Sequence, residues 1–310
     1  MISASQAHTH TSCVALSPAS SRPTLGFIGL GAMGGHFARN LVRAGYHVLG
    51  FDLSAARLTE CQAGGVQPSA TAADVVDGAE MVLTSMPSSE SWVHLAHTVL
   101  IPRARQGQLF IDVGTVAPPE TRRAAARLAE SGTSLVDAPL SGGPRGAETG
   151  TCYVFAGGTD EDFVRARPVL EIFGGGSAGG RLTHCGPTGS GQIAKGVNQL
   201  AMGLGAAAYL EAVSFAINAG LSPEIVERAI GDDTGWRAIV RGTARSIAEG
   251  RGQEISVKFR ELPYFLQEAR ESGFDLPLSE LLYALCDQSD RVTVDDNRPA
   301  PSFFTRLTAR

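Results

Sequence analysis

Residues 24–45 read TLGFIGLGAMGGHFARNLVRAG, and this stretch constrains the chain more than any other. A short apolar run ends at Gly29-Leu30-Gly31-Ala32-Met33-Gly34. Helical spacing begins at once, with Met33, Phe37 and Leu41 on one face and Gly45 as the stop. Strand, glycine turn and helix in that order form the dinucleotide-binding fingerprint. The first glycine makes the tight turn, the second lets a pyrophosphate approach the backbone, and the third lets helix pack on strand. The helix N-terminus offers its N–H groups to the phosphates. The next apolar run, YHVLGFD, ends in Asp52, 23 residues after Gly29, where a carboxylate would bind the adenosine ribose hydroxyls. A carboxylate repels a 2′-phosphate, so Asp52 favours NAD, while Arg57 nearby keeps NADP open.

The alternation continues. SAARLTECQAG is a predicted helix with Ser54 as its N-cap, and EMVLTSM and QLFIDVG are predicted strands with SSESWVHLAHTVL as the helix between them. PPETRRAAARLAESG has proline in its first turn and glycine past its end, as a helix should. TSLVDAPL and TCYVFAGG read as two more strands, and DEDFVRARPVLEIF as a helix. The pattern predicts an α/β fold: a doubly wound, mostly parallel sheet covered on both faces. After about residue 187 the strands stop. QIAKGVNQLAMGLGAAAYLEAVSFAINAG predicts one helix of about 40 Å. SPEIVERAIG, GWRAIVRGTARSIAEG, VKFRELPYFLQEARESG and LSELLYALCDQSD continue as helices. The expected organisation is an α/β dinucleotide-binding domain over residues 24–187 and an all-helical domain over 188–310. Residues 1–23 hold no acid and a single arginine, Arg22, and lack the charged and apolar regions of a secretory signal; they are expected to be a disordered extension.

Composition excludes several classes. A net charge of −5 and a pI near 5.8 argue against a nucleic-acid surface. No apolar run is expected to approach the roughly 20 residues that span a bilayer, so no membrane is expected. Five scattered cysteines without a CxxC do not make a disulfide framework, and a reducing, cytoplasmic setting fits. His94 and His97 share a helix face but have no visible third ligand, so no metal is expected.

Two further motifs carry chemistry. Asp137-Ala138-Pro139-Leu140-Ser141-Gly142-Gly143-Pro144-Arg145-Gly146-Ala147-Glu148-Thr149-Gly150 lies between two predicted strands. Its Ser-Gly-Gly run could aim a hydroxyl and successive N–H groups at one anion, or form only a flexible hairpin. The other motif is GSGQIAKGVNQ, residues 189–199. The chain's only lysines are Lys195 and Lys258; all other cations are arginines. Arginine supplies charge equally well but does not give up its proton, whereas a buried lysine can. Position 195 is either a titratable amine or a solvated helix residue. Lys195, Asn198 and Gln199 share one helical face beside the expected domain boundary.

GFIGLGAMG, DAPLSGGPRGAETGT and GSGQIAKGVNQ, in this order and spacing, closely resemble the β-hydroxyacid dehydrogenases, from about Thr24 to the C-terminus. The resemblance implies a Rossmann-type domain followed by a 6-phosphogluconate dehydrogenase-like helical domain with a long interdomain helix. It implies NAD, or NADP, as cofactor and a small carboxylate as substrate. It makes Lys195 the catalytic acid/base, places the substrate carboxylate in the Ser141, Gly142 and Gly143 loop, and gives Asn198 and Gln199 the orienting amides. Met86 and Pro87 match a pair beside the cofactor, and Thr115 a threonine near the nicotinamide. The family's later Lys-Asp pair stands here as Arg260-Glu261, with Arg260 on the cofactor side; Lys258 is read as surface. Gln199 stands where the family often has asparagine. Hydride would pass from the hydroxyl-bearing carbon to the nicotinamide, and Lys195 would take the hydroxyl proton. A homodimer or homotetramer is implied.

Two rivals use the same cofactor turn. Imine reductases share the two-domain build but generally lack the lysine and the Ser-Gly-Gly loop. A non-catalytic dinucleotide-binding module would not need Lys195. The sequence leaves the hydroxy acid and the working direction open.

Overall fold

The computed structural model describes residues 22–175, 181–249 and 261–285. Its strands are β1 (Leu25–Ile28), β2 (Val48–Phe51), β3 (Gln67–Pro68), β4 (Met81–Thr84), β5 (Leu109–Asp112), β6 (Ser134–Asp137), β7 (Leu140–Ser141), β8 (Tyr153–Gly157) and β9 (Leu182–Gly186). They form one sheet in the order β3-β2-β1-β4-β5-β6-β8-β7, with β9 on β8. The six strands β1 to β6 are mutually parallel, and β8 turns antiparallel against β6. All four residues of β1 and of β5 are buried, as strands covered on both faces require.

The helices between strands are α1 (Gly34–Arg43), α2 (Ala55–Ala63), α3 (Ala72–Gly78), α4 (Ser89–Leu95), α5 (Ile101–Arg103), α6 (Pro118–Ala129), α7 (Gly143–Thr149) and α8 (Asp160–Phe173). A π turn, Ala96–Leu100, joins α4 to α5. One face of the sheet packs Phe27, Leu83 and Ile111 with Phe37 of α1 and Phe173 of α8, whose rings lie 4.5 Å apart. The other face packs Ile28, Val82 and Phe110 with Val75, Trp92 and Leu128. Beyond β9 the described elements are helices: α9 (Ser190–Asn218), α10 (Pro223–Ile230), α11 (Gly235–Ala248), α12 (Leu262–Ser272) and α13 (Pro277–Leu285). Their apolar clusters are small, one around Leu210, Leu262 and Leu282 and one around Val213, Val226, Val240 and Ala244.

The structure departs from expectation in local places. TSLVDAPL is not one strand. Pro139 has no N–H for a ladder, and the chain breaks there into β6 and the two-residue β7. The Ser-Gly-Gly stretch is not a hairpin, because Gly143 onward winds into α7. β3 and β9 were not expected; LTHCG carries neither alternation nor a buried apolar run. The expectation that no segment is apolar enough to span a bilayer is also corrected. By length and composition α9 qualifies, with a mean hydropathy of 1.6 over its most apolar window. Its first turns, however, are polar and built into the sheet, as described below. Of the expected extension 1–23, residues 1–21 lie outside the described residues. Arg22 is placed: its guanidinium stacks over Tyr46 and bonds the Ala44 carbonyl.

Candidate active site

The strand order reverses between β1 and β4, and in open α/β sheets ligands bind beyond the carboxyl ends of strands at such a point. The fingerprint turn lies there. Gly29 has φ +90°, and a Cβ on it would sit 2.3 Å from the Ser85 carbonyl oxygen. A Cβ on Gly34 would sit 1.9 Å from the Gly29 carbonyl oxygen, so only glycine lets α1 start so close to β1. At Gly31 a Cβ would meet nothing within 4 Å, which leaves open floor for a pyrophosphate. Leu30 is buried, and Ala32 and Met33 complete the turn before α1. These residues fit an NAD cofactor.

Asp52 directly follows β2, with both carboxylate oxygens engaged. Oδ2 accepts from the Leu30 N–H at 2.6 Å and Oδ1 from the Ser54 N–H at 2.7 Å. A carboxylate has about four acceptor positions, so two remain for ribose hydroxyls. Asp52 therefore also ties the fingerprint turn to β2, a task the sequence reading did not give it. Arg57 pairs with Glu60, which also holds Arg39.

The loops after β4 and β5 come together. A Cβ on Gly114 would sit 3.5 Å from the Met86 carbonyl oxygen, so Met86, which Pro87 follows in sequence, borders the strand-end loop that carries Thr115. Behind this loop Asp112 is fully enclosed. It accepts from Thr84 Oγ1 at 2.8 Å and from the Gly114 N–H at 3.2 Å, while the Trp92 indole donates to Thr84 at 3.0 Å. Burial pushes the Asp112 carboxyl up to about 7.

Helix α9 starts against the end of β6. Asp137 Oδ1 accepts from the Gly189 N–H at 2.6 Å and Oδ2 from the Gln192 N–H at 2.8 Å, so one buried carboxylate caps the helix from the sheet. Burial raises Asp137 to about 6 against these opposing hydrogen bonds. Gly191 permits the approach, since a Cβ there would lie 2.3 Å from the Phe155 carbonyl oxygen.

On the same helix Lys195 is 4 % exposed, and its Nζ donates to the Leu140 carbonyl at 2.7 Å. Leu140 leads directly into Ser141, Gly142 and Gly143, the last with φ +61°. The amine is thus held beside the loop expected to take a carboxylate. One turn on, Asn198 Nδ2 donates to Gln199 Oε1 at 3.2 Å, and Gln199 Nε2 donates to Glu261 Oε2 at 2.6 Å. Arg260 lies outside the described residues. Among the described residues no cluster of three or more histidine, cysteine or acidic side chains could hold a metal.

The sequence reading gave no site role to Asp112, Asp137 or Gln192, and placed Glu261 only in the pair near the cofactor, not on Gln199. Two are the aspartates that end buried strands in IDVG and LVDAPL. That position, the carboxyl end of an inner strand, is the signal that could have found them.

Residues 24–186 match the family described as the NAD binding domain of 6-phosphogluconate dehydrogenase. The chain is 32 % identical over 281 residues to 3-hydroxyisobutyrate dehydrogenase of Pseudomonas aeruginosa, covering 86 % of this chain and 93 % of that protein. It is 31 % identical to 2-(hydroxymethyl)glutarate dehydrogenase of Eubacterium barkeri, covering 83 % and 86 %. Among solved structures, Mycobacterium tuberculosis 3-hydroxyisobutyrate dehydrogenase with L-serine superposes with a TM-score of 0.76 at 27 % identity, over 93 % of this chain and 99 % of that one. With the fingerprint turn, the parallel sheet and the long helix already in place, these likenesses close the argument: the chain belongs to the β-hydroxyacid dehydrogenase family of NAD-dependent oxidoreductases.

Proposed function

We propose that the protein interconverts a small β-hydroxy acid and its semialdehyde or keto acid, with Lys195 as the general acid/base. The observation that carries this reading is the buried Lys195 amine, 2.7 Å from the Leu140 carbonyl at the mouth of the Ser141–Gly143 loop. The loop holds the substrate carboxylate through the Ser141 hydroxyl and the N–H groups of Gly142 and Gly143, which brings the β-hydroxyl to the amine. Asn198 and Gln199 orient the substrate from the next turn, and Glu261 fixes the Gln199 amide. In oxidation Lys195 takes the hydroxyl proton; in reduction it returns it. Bound NAD supplies the hydride acceptor. Gly29, Leu30, Gly31, Ala32, Met33, Gly34 and Asp52 hold its adenosine and pyrophosphate end, and Met86, Pro87 and Thr115 border the nicotinamide.

The working units in this reading are residues 24–187 for the cofactor and 188–310 for substrate and assembly. Exposed apolar side chains on α9 and α11 (Val197, Met202, Phe215, Trp236 and Ile239) suit a second copy of the chain, so the reading includes a homo-oligomer. Three described cysteines are free, which fits the cytoplasm.

The test is NADH formation with a panel holding 3-hydroxyisobutyrate, L-serine, glycerate and 2-(hydroxymethyl)glutarate, repeated with NADP. Turnover of one member, lost by about 10²- to 10⁴-fold in Lys195→Arg with NAD binding kept, is expected. Wild-type turnover in Lys195→Arg sinks the proposal. Silence across the panel despite NAD binding turns the reading towards imine reduction.

A further inference from the structure

Gln192 is the fourth residue of the GSGQIAKGVNQ run and has no part in the proton transfer proposed above. It is completely buried. Its backbone N–H is held by Asp137 at the end of β6. Its side chain reaches the loop after β5. Oε1 accepts from the Val116 N–H at 3.1 Å, and Nε2 donates to the Gly114 carbonyl at 3.0 Å and faces Asp112 Oδ2 at 3.4 Å. One primary amide thus bonds the backbone on both sides of Thr115. Lys195 follows three residues later on the same helix, a rise of about 4.5 Å. A single rigid turn therefore connects the loop bordering the nicotinamide to the amine that handles the proton.

We propose that Gln192 is a positioning residue that sets the distance between the cofactor-side Thr115 loop and Lys195. This rests on the reading of Lys195 and Thr115 given above. The Ser141–Gly143 loop and the fingerprint turn do not depend on the Gln192 amide, so both ligands still bind without it. What changes is the alignment of hydroxyl, amine and hydride acceptor. Misalignment of about 1 Å is enough to cost up to about 100-fold in rate. Leucine fills the same volume without the two bonds. Glutamate is more informative. When protonated it reproduces both bonds, its carbonyl oxygen accepting from Val116 and its O–H donating to Gly114. When ionised it keeps only the first, and where Asp112 is ionised too it faces that carboxylate with like charge.

The experiment uses the full chain and whichever of 3-hydroxyisobutyrate, L-serine and 2-(hydroxymethyl)glutarate turns over fastest, beside its form deuterated at the hydroxyl-bearing carbon. For Gln192→Leu, kcat is expected to fall about 10- to 100-fold with both KM values within about twofold of wild type. The deuterium isotope effect on kcat is expected to rise. For Gln192→Glu, kcat relative to wild type at the same pH is expected to fall as pH rises and the new carboxyl ionises. NADH binding and thermal melting check that each variant is folded; if Gln192→Leu does not fold, the pH profile of Gln192→Glu decides. A kcat within about twofold of wild type, a loss confined to KM, or a Gln192→Glu profile parallel to wild type overturns the proposal. Failure of the Lys195 reading is distinct, since it shows as full turnover in Lys195→Arg with Gln192 intact.

Discussion

Asp137 and Gly189 are 52 residues apart in sequence and 2.6 Å apart in space, carboxylate oxygen to N–H. This bond and its companion to Gln192 start α9 at the carboxyl edge of the sheet. Removing the carboxylate leaves two buried N–H groups without an acceptor. Asp137→Ala is expected to lower stability by about 2–4 kcal/mol, measured as a shift of the urea midpoint. A midpoint unchanged from wild type would show that the helix holds its start without the sheet.

The two buried aspartates give stability a particular pH dependence. Asp112 titrates near 7 and Asp137 near 6 in the folded protein, both raised from an ordinary value of 3.8 by burial. Between the unfolded and folded values the folded state holds the extra protons. The stabilisation is complete below the unfolded value and is lost as pH rises through the folded ones. Melting temperature is therefore expected to fall as pH rises from about 4 to about 7 and to level off above that. Asp112→Asn, which cannot ionise, is expected to reduce that slope; an unchanged slope would place the titration elsewhere.

Two glycines of the fingerprint separate cofactor binding from folding. Gly34→Ala drives a methyl into the Gly29 carbonyl and is expected to destabilise the whole fold. Gly31→Ala meets open space in the protein, so melting is expected to stay near wild type while NAD affinity falls. Calorimetric binding beside thermal melting distinguishes the two, and loss of stability in Gly31→Ala would contradict the assignment of that space to the pyrophosphate.

In the proposed reading, cofactor choice follows from charge just after β2. Asp52 presents a carboxylate there, and the nearby Arg57 is engaged by Glu60. Asp52→Ser combined with Glu60→Gln removes the repulsion and releases the arginine. The ratio of kcat/KM for NADP to that for NAD is expected to rise by about tenfold or more. An unchanged ratio would mean that discrimination lies elsewhere in the crevice.

Much of this was legible from residues because local and global signals agreed. The run from Leu25 to Arg43 is a strand, turn and helix by spacing alone, and the structure builds it so. Legibility failed where tertiary contacts decide. Leu182–Gly186 is a strand only because β8 offers it an edge. Leu140 and Ser141 pair with Val154 and Tyr153, and the chain then turns into a helix that no propensity announces. Gln192 stood in plain view in the motif. The task proposed for it depends on Gly114 and Val116, more than 70 positions earlier, which no local pattern connects to it.

The grip of Asp137 on the start of α9 bears on how such a chain can be recombined. The placement of Lys195 is inherited from the sheet, because the first turns of α9 are seated on β6 and β8 before the helix reaches its helical neighbours. A chimaera joined at residue 188 would separate the amine from the strand ends that aim it. One joined just after Gln199 would keep Lys195, the proposed acid/base, and the Gln192 amide with the N-terminal parent's own strand ends. It would import from the other parent the helices beyond α9 and, just before α12, the Glu261 that accepts from the Gln199 amide. Swaps of substrate range between relatives should therefore cross over inside the long helix, not at the boundary where strands give way to helices.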